Sequence, residues 1–268
     1  MIRSIILLLF LSISSAVISQ ELVTDYWDNG EKRSEGIIKL GQEEGHWIYW
    51  DKSGNIIQET DFWRGYPNGK LIHYYENSDQ KMDMGEFVKG VATGSYTEWF
   101  RNGQVRIKGY YKNNLEDSLW VYYNNDSKIL KEEYFYPDKE KKLISHFNRK
   151  GKQDIKNGNG ELKSFYNSGQ ERETIGYKDG YMHGKYVAYY SDGSFQTRGT
   201  YSNGLKTGNW EEWYQGGIKK SVYNHSTGMN KEWFINGNLK MEGNLVNGKK
   251  NDTWIYYYET GEKRIVAN

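Results

Sequence analysis

Residues 191–214 read Ser-Asp-Gly-Ser-Phe-Gln-Thr-Arg-Gly-Thr-Tyr-Ser-Asn-Gly-Leu-Lys-Thr-Gly-Asn-Trp-Glu-Glu-Trp-Tyr. Residues 167–190 repeat the phrase, with Asn167-Ser168-Gly169, Gly176-Tyr177-Lys178-Asp179-Gly180 and Gly184-Lys185-Tyr186-Val187-Ala188-Tyr189-Tyr190 at matching places. Gly169 and Gly193 are 24 residues apart, and so are Tyr186 and Trp210. A fixed period of this size marks a repeat array, in which each unit buries its apolar face against its neighbours.

Working outward, units run from Asp28 to Trp50, Lys52 to Tyr75, Asn77 to Phe100 and Arg101 to Tyr123, with a weaker one ending near Phe147. Residues 148–160, rich in Asn, Gly and Lys, read as an irregular joint. The pattern resumes at Glu161, shortens between Gly217 and Phe234, and closes with Asn236 to Tyr258. Gly261 to Arg264 begin one more unit, as a terminal cap would. The domain reading is thus a leader over 1–19 and one array over 20–268, its units lying in 25–147 and 161–268.

Each unit reads as a β-hairpin. Asn-Gly and Asp-Gly pairs recur at 29–30, 68–69, 102–103, 179–180, 192–193, 203–204, 236–237 and 247–248. All eight are expected to form two-residue turns in which both residues take positive φ. Period-two alternation lies between them, and no helical period is sustained after residue 19. The predicted fold class is all-β, an elongated, twisted array of stacked antiparallel hairpins.

Strand alternation assigns the rings to two faces. Trp47, Tyr96, Trp120, Tyr186, Trp210 and Trp254 form one ladder. Trp50, Trp99, Tyr123, Tyr189, Trp213 and Tyr257 form the other. A buried ring removes roughly 150–250 Å² from water, a gross gain of at most ~4–6 kcal/mol. One ladder suffices for cohesion. The second, from Trp50 to Tyr257, is the candidate binding ladder.

Arg3, the apolar run Ile5 to Leu11 and the small-residue context Val17-Ile18-Ser19 read as a secretory leader cut after Ser19. The apolar run is shorter than the roughly 20 residues that span a bilayer. With no Cys in the chain, no lipid anchor, disulfide or thiolate metal site is expected. The expected location is secreted or periplasmic.

The chain has 36 Lys+Arg and 35 Asp+Glu, and Arg3 is the one charge in residues 1–19, so residues 20–268 are formally neutral. That balance argues against a nucleic-acid partner and against attraction to anionic lipid. The basic cluster 139–142 reads as a solvated turn. Mean hydropathy of -0.90 would suit disorder, but an aromatic content of 16% does not.

No catalytic constellation stands out. His46, His73, His146, His183 and His225 form no metal-ligand spacing. The neighbouring carboxylates Glu43-Glu44, Glu132-Glu133 and Glu211-Glu212 point to opposite faces of a strand, which does not suit paired acid–base work. Gly158-Asn159-Gly160 lacks the rest of a dinucleotide fingerprint. No enzyme activity, cofactor or metal is expected.

Three features, recurring in phase, resemble the MORN-repeat superfamily and in particular the bacterial MORN-variant repeat. They are the Asn-Gly turn, Gly199-Thr200-Tyr201-Ser202-Asn203-Gly204, and Gly208-Asn209-Trp210-Glu211-Glu212-Trp213-Tyr214. The resemblance covers about residues 25–260 and implies a twisted sheet of stacked hairpins with binding and scaffolding roles. The fifth and eighth units depart from it. Some bacterial relatives are labelled antitoxins, which a leader-bearing chain does not suit, and the family's link to phospholipids finds no support in a neutral chain. The expected function is a protein-interaction scaffold. The alternative is a module that binds envelope polysaccharide by stacking sugars on the Trp50 to Tyr257 ladder.

Overall fold

The computed structural model describes residues 20–138 and 140–267, the side chains of residues 252 and 265–267 excepted. The expected leader and its cut after Ser19 lie outside the described residues, as does Lys139 of the basic cluster. The described residues form strands and turns with no helix. The described residues divide into two compact units, which meet between Gly94 and Ser95 in sequence.

The first unit contains β1 (Gln20–Tyr26), β2 (Lys32–Lys39), β3 (Gln42–Trp50), β4 (Ile56–Trp63), β5 (Tyr66–Tyr74) and β6 (Lys81–Val88). Each strand pairs antiparallel with the next. The unit boundary falls within β7 (Val91–Trp99).

The second unit continues with β8 (Val105–Lys112), β9 (Leu115–Tyr123), β10 (Ile129–Phe135), β11 (Lys141–Phe147), β12 (Gln153–Lys156), β13 (Asn159–Phe165) and β14 (Glu171–Lys178). It then runs through β15 (Tyr181–Tyr189), β16 (Phe195–Ser202), β17 (Leu205–Trp213), β18 (Lys219–Asn224) and β19 (Gly228–Trp233). It ends with β20 (Leu239–Val246), β21 (Lys249–Tyr257) and β22 (Lys263–Ala267). Sequential neighbours from β8 onward are antiparallel partners.

The 24-residue period has a physical composition. The opening strand β2 has 8 residues and the closing strand β3 has 9. A two-residue turn, Leu40-Gly41, joins them, and a five-residue turn from Asp51 to Asn55 leads to the next unit. The same lengths of 8 and 9 recur in β14–β15, β16–β17 and β20–β21. The longer strand carries a bulge. Glu35 faces Ile48 while Ile37 faces Glu44, and Gly45 takes φ 67° inside that interval. Gly184 and Gly208 have positive φ inside equivalent shifts of β15 and β17, and Ser118 has in β9. The repeated glycine before the ring motif is therefore a bulge residue, where lacking Cβ removes the left-handed penalty.

The turns correct part of the sequence reading. Asp179-Gly180, Asn203-Gly204 and Asn247-Gly248 have positive φ at both residues, as expected of two-residue turns. At 29–30, 102–103, 192–193 and 236–237 only the glycine does. These four belong to five-residue turns. In the turn from Tyr190 to Ser194, Tyr190 N–H donates to Ser194 O, and Gly193 N–H donates back to Tyr190 O. Such a turn needs one left-handed residue, a place for glycine, while Asp192 accepts from Ser194 N–H at 2.9 Å. Asn68-Gly69 is no turn at all; it lies inside β5, and the chain reverses at Arg64-Gly65.

The expected joint at 148–160 consists of a five-residue turn from Asn148 to Lys152, the four-residue β12, and a turn at Asn157-Gly158 with positive φ at both residues.

Candidate functional site

The first ring ladder is the core. Trp47, Trp120, Trp210 and Trp254 are buried, with 3–5% of their surface exposed. Each lies flat on a glycine of the preceding strand: Gly36, Gly109, Gly199 and Gly243. A methyl group at any of these glycines would stand 2.2–2.3 Å from the indole. The indole N–H of Trp47 donates to Ile37 O, that of Trp210 to Thr200 O and that of Trp254 to Asn244 O, at 3.2–3.3 Å. The aromatic residue two positions after the glycine completes the packing. Tyr201 stands edge-on to Trp210 at 4.9 Å, and Tyr111 edge-on to Trp120 at 5.1 Å.

Tyr186 in this ladder brings its own partner. It stacks on Trp210 at 5.2 Å and donates its hydroxyl to Glu173. Burial, and then the Glu173 carboxylate, hold the Tyr186 hydroxyl well above its usual range. A half-buried phenol is thereby kept neutral and hydrogen-bonded.

The second ladder is less covered. Trp50, Trp99, Tyr123, Tyr189 and Tyr257 are half-buried, and Trp213 is buried at 9% exposure. The Lys32 ammonium sits 5.4 Å from the Trp50 ring centre. Arg198 and Lys219 sit 5.1 and 5.6 Å from that of Trp213. Phe195 links Tyr189 to Trp213, with centroids 5.3 and 5.5 Å away. Tyr257 donates its hydroxyl to Glu242 at 2.9 Å. Backbone carbonyls in this row are also capped: Trp50 O accepts from the Trp27 indole, Tyr189 O from Tyr166 and Trp213 O from Tyr190.

Most of the polar residues singled out in the sequence are taken up locally, the exception being His183, whose Nδ1 is buried without a hydrogen-bond partner. His46 lies 3.0 Å from Asp61, and His73 lies 2.9 Å from Asp83. His146 lies 3.5 Å from Asp154, and His225 meets the edge of Trp210. Glu133 pairs with Lys131 and Lys141, whereas Glu132 accepts from Ser145. Glu211 pairs with Arg198 and Lys219, whereas Glu212 pairs with Lys220. Among the described residues no group of three or more His, Cys, Asp or Glu is placed to hold a metal ion.

One feature had only an indirect signal in the sequence. A concavity of about 1120 Å³ lies in the second unit, bordered by the turn 148–152 and the end of β13. The Asn- and Gly-rich stretch 148–160 marked the place, but not the hollow.

Residues 43–64 and 92–113 each match the MORN repeat variant model. No curated protein matches the chain.

Proposed function

We propose, on the ground of its two segments that match the MORN repeat variant, that the chain is a MORN-repeat protein and an exported, non-catalytic scaffold that binds a protein partner through the rings of the ladder from Trp50 to Tyr257. MORN repeats are in general interaction modules. One observation carries the reading: the four tryptophans of one ladder are sealed against glycine, with Tyr96 and Tyr186 half-buried beside them, while five of the six rings of the other ladder stay half-buried. Rings with part of their surface open and a polar tip at hand are the side chains that dominate protein interfaces. Export is supported by the apolar leader ahead of Gln20.

Cations over Trp50 and Trp213 favour a protein partner over sugar stacking, because a capped ring does not offer a free flat platform. The test is affinity capture with the tagged full chain, expressed with its leader in its own cells. The eluate is read for protein and for polysaccharide. A stoichiometric protein is expected, and Trp50→Ala with Trp99→Ala should abolish its capture. Enriched polysaccharide without protein, or capture indifferent to both changes, overturns the reading. The captured chain is expected to begin at Gln20; an intact Met1 start would contradict processing.

A further inference from the structure

The shortness of β12 opens a gap inside the second unit. β12 has four residues between the seven-residue strands β11 and β13. It meets β13 at two positions, Ile155 with Gly160 and Lys156 with Asn159. On its other side β13 pairs with β14 as far as Phe165. Glu161 to Phe165 thus have a neighbouring strand on one side. Lys163 and Phe165 are exposed, Phe165 at 56%. On the side away from β14 these residues have no ladder partner among the described residues, and such an edge is the template on which an extended peptide adds as a strand.

The hollow beside this edge has a definite chemistry. Arg106, Lys131, Arg149, Lys150, Lys163 and Arg172 line it, and no Asp or Glu does. Three of these cations are matched by carboxylates just outside the wall: Arg106 by Glu98, Lys131 by Glu133, and Lys163 by Glu171. Arg172 donates to Ser164, and Arg149 and Lys150 make no ion pair among the described residues. The lining thus has a surplus of positive charge in a chain that is formally neutral from residue 20. Phe100, Ile107, Leu130, Phe147 and Phe165 supply apolar wall between the cations. The adjoining smaller hollow is mixed in charge, with Asp154 and Glu161 beside Lys152.

We propose that the vacant edge of β13 and the adjoining hollow receive an extended acidic peptide segment of a protein partner, with apolar side chains between the acidic ones. An edge without a ladder partner calls for a peptide, which can complete the ladder. Asn148, Ser164 and three tyrosines also line the wall, but the absence of any carboxylate among its lining residues and its surplus of cations favour an acidic ligand over a neutral sugar. A bilayer is flat where this site is concave. Residues 1–19 carry no carboxylate side chain and do not supply the complement. The inference rests on the interaction-scaffold reading but uses other residues, since neither Trp50 nor Trp99 lines the hollow.

The experiment is fluorescence anisotropy with the full chain and a fluorescein-labelled peptide that alternates Glu with Leu and Phe. Saturable binding is expected, weakening as salt rises. Arg149→Glu with Lys150→Glu should weaken it about tenfold or more, while Arg149→Lys with Lys150→Arg preserves it. Both residues lie on an exposed turn, so unchanged denaturation midpoints will establish that the variants fold. A peptide N-methylated at alternate residues should also lose about tenfold or more, because it cannot complete the ladder. Equal binding of a Gln-for-Glu peptide overturns the proposal, as does indifference to the charge reversals or to N-methylation. Preference for polygalacturonate or phosphatidylserine vesicles over the peptide does so too. Failure of the Trp50 and Trp99 capture test leaves this titration standing, so the two readings fail separately.

Discussion

Trp210 rests on Gly199 with no room for a methyl group between them, and three further Trp–Gly pairs do the same. The glycine therefore acts as a seat for the ring, and the opposite bulge glycine, Gly208, turns the chain so that the ring reaches it. The two glycines of one unit answer two separate constraints, space in one case and positive φ in the other. Electrostatic detail also lies at this scale. His73 sits beside Asp83, and that hydrogen bond raises the imidazole pKa above its ordinary value against the opposing effect of burial. The folded-state pKa is then the higher one. The contribution is complete below the unfolded value and disappears as pH rises through the folded one. The denaturation midpoint should therefore fall across that window, and the fall should be smaller in Asp83→Asn. Identical pH profiles for the two chains would show that the pair contributes nothing.

At the scale of the element, two kinds of turn alternate, and each asks for a different residue. The two-residue turns need positive φ twice, which Asn203-Gly204 meets with little cost. Leu40-Gly41 meets the same demand with a leucine at φ 52°, exposed to 77%. Leu40→Asn should stabilise the chain by about 1 kcal/mol, because it relieves the left-handed penalty and gives up almost no burial. A lower urea midpoint for the variant would contradict this. The hairpins were legible in the sequence because alternation and Asn-Gly pairs are local signals. The division of those pairs between turn types was not, because Asn102-Gly103 and Asn203-Gly204 look alike until the lengths of the flanking strands are known. Asn68-Gly69 misled for the same reason, its glycine serving a bulge rather than a reversal.

At the scale of the whole molecule, repetition converts one local solution into a sheet. Most hairpins contribute a ring to a shared ladder, so cohesion is distributed between neighbours rather than gathered in one core. The ladders were legible as two sets of residues because side chains alternate along a strand. Their unequal burial was not, since the sequence places rings at both Trp210 and Trp213 without saying which rests on glycine. The vacant edge of β13 was equally hidden, because it depends on how far β12 pairs across the sheet. The function proposed for this chain needs the tryptophans of one ladder to hold the fold and leaves the other ladder for binding. Urea titration of Trp210→Ala beside Trp50→Ala tests this requirement most directly. Trp210→Ala should cost about 3–5 kcal/mol, and Trp50→Ala at most about 1.5 kcal/mol. Equal losses, or a loss under about 1 kcal/mol for Trp210→Ala, would contradict the division of labour between the two faces.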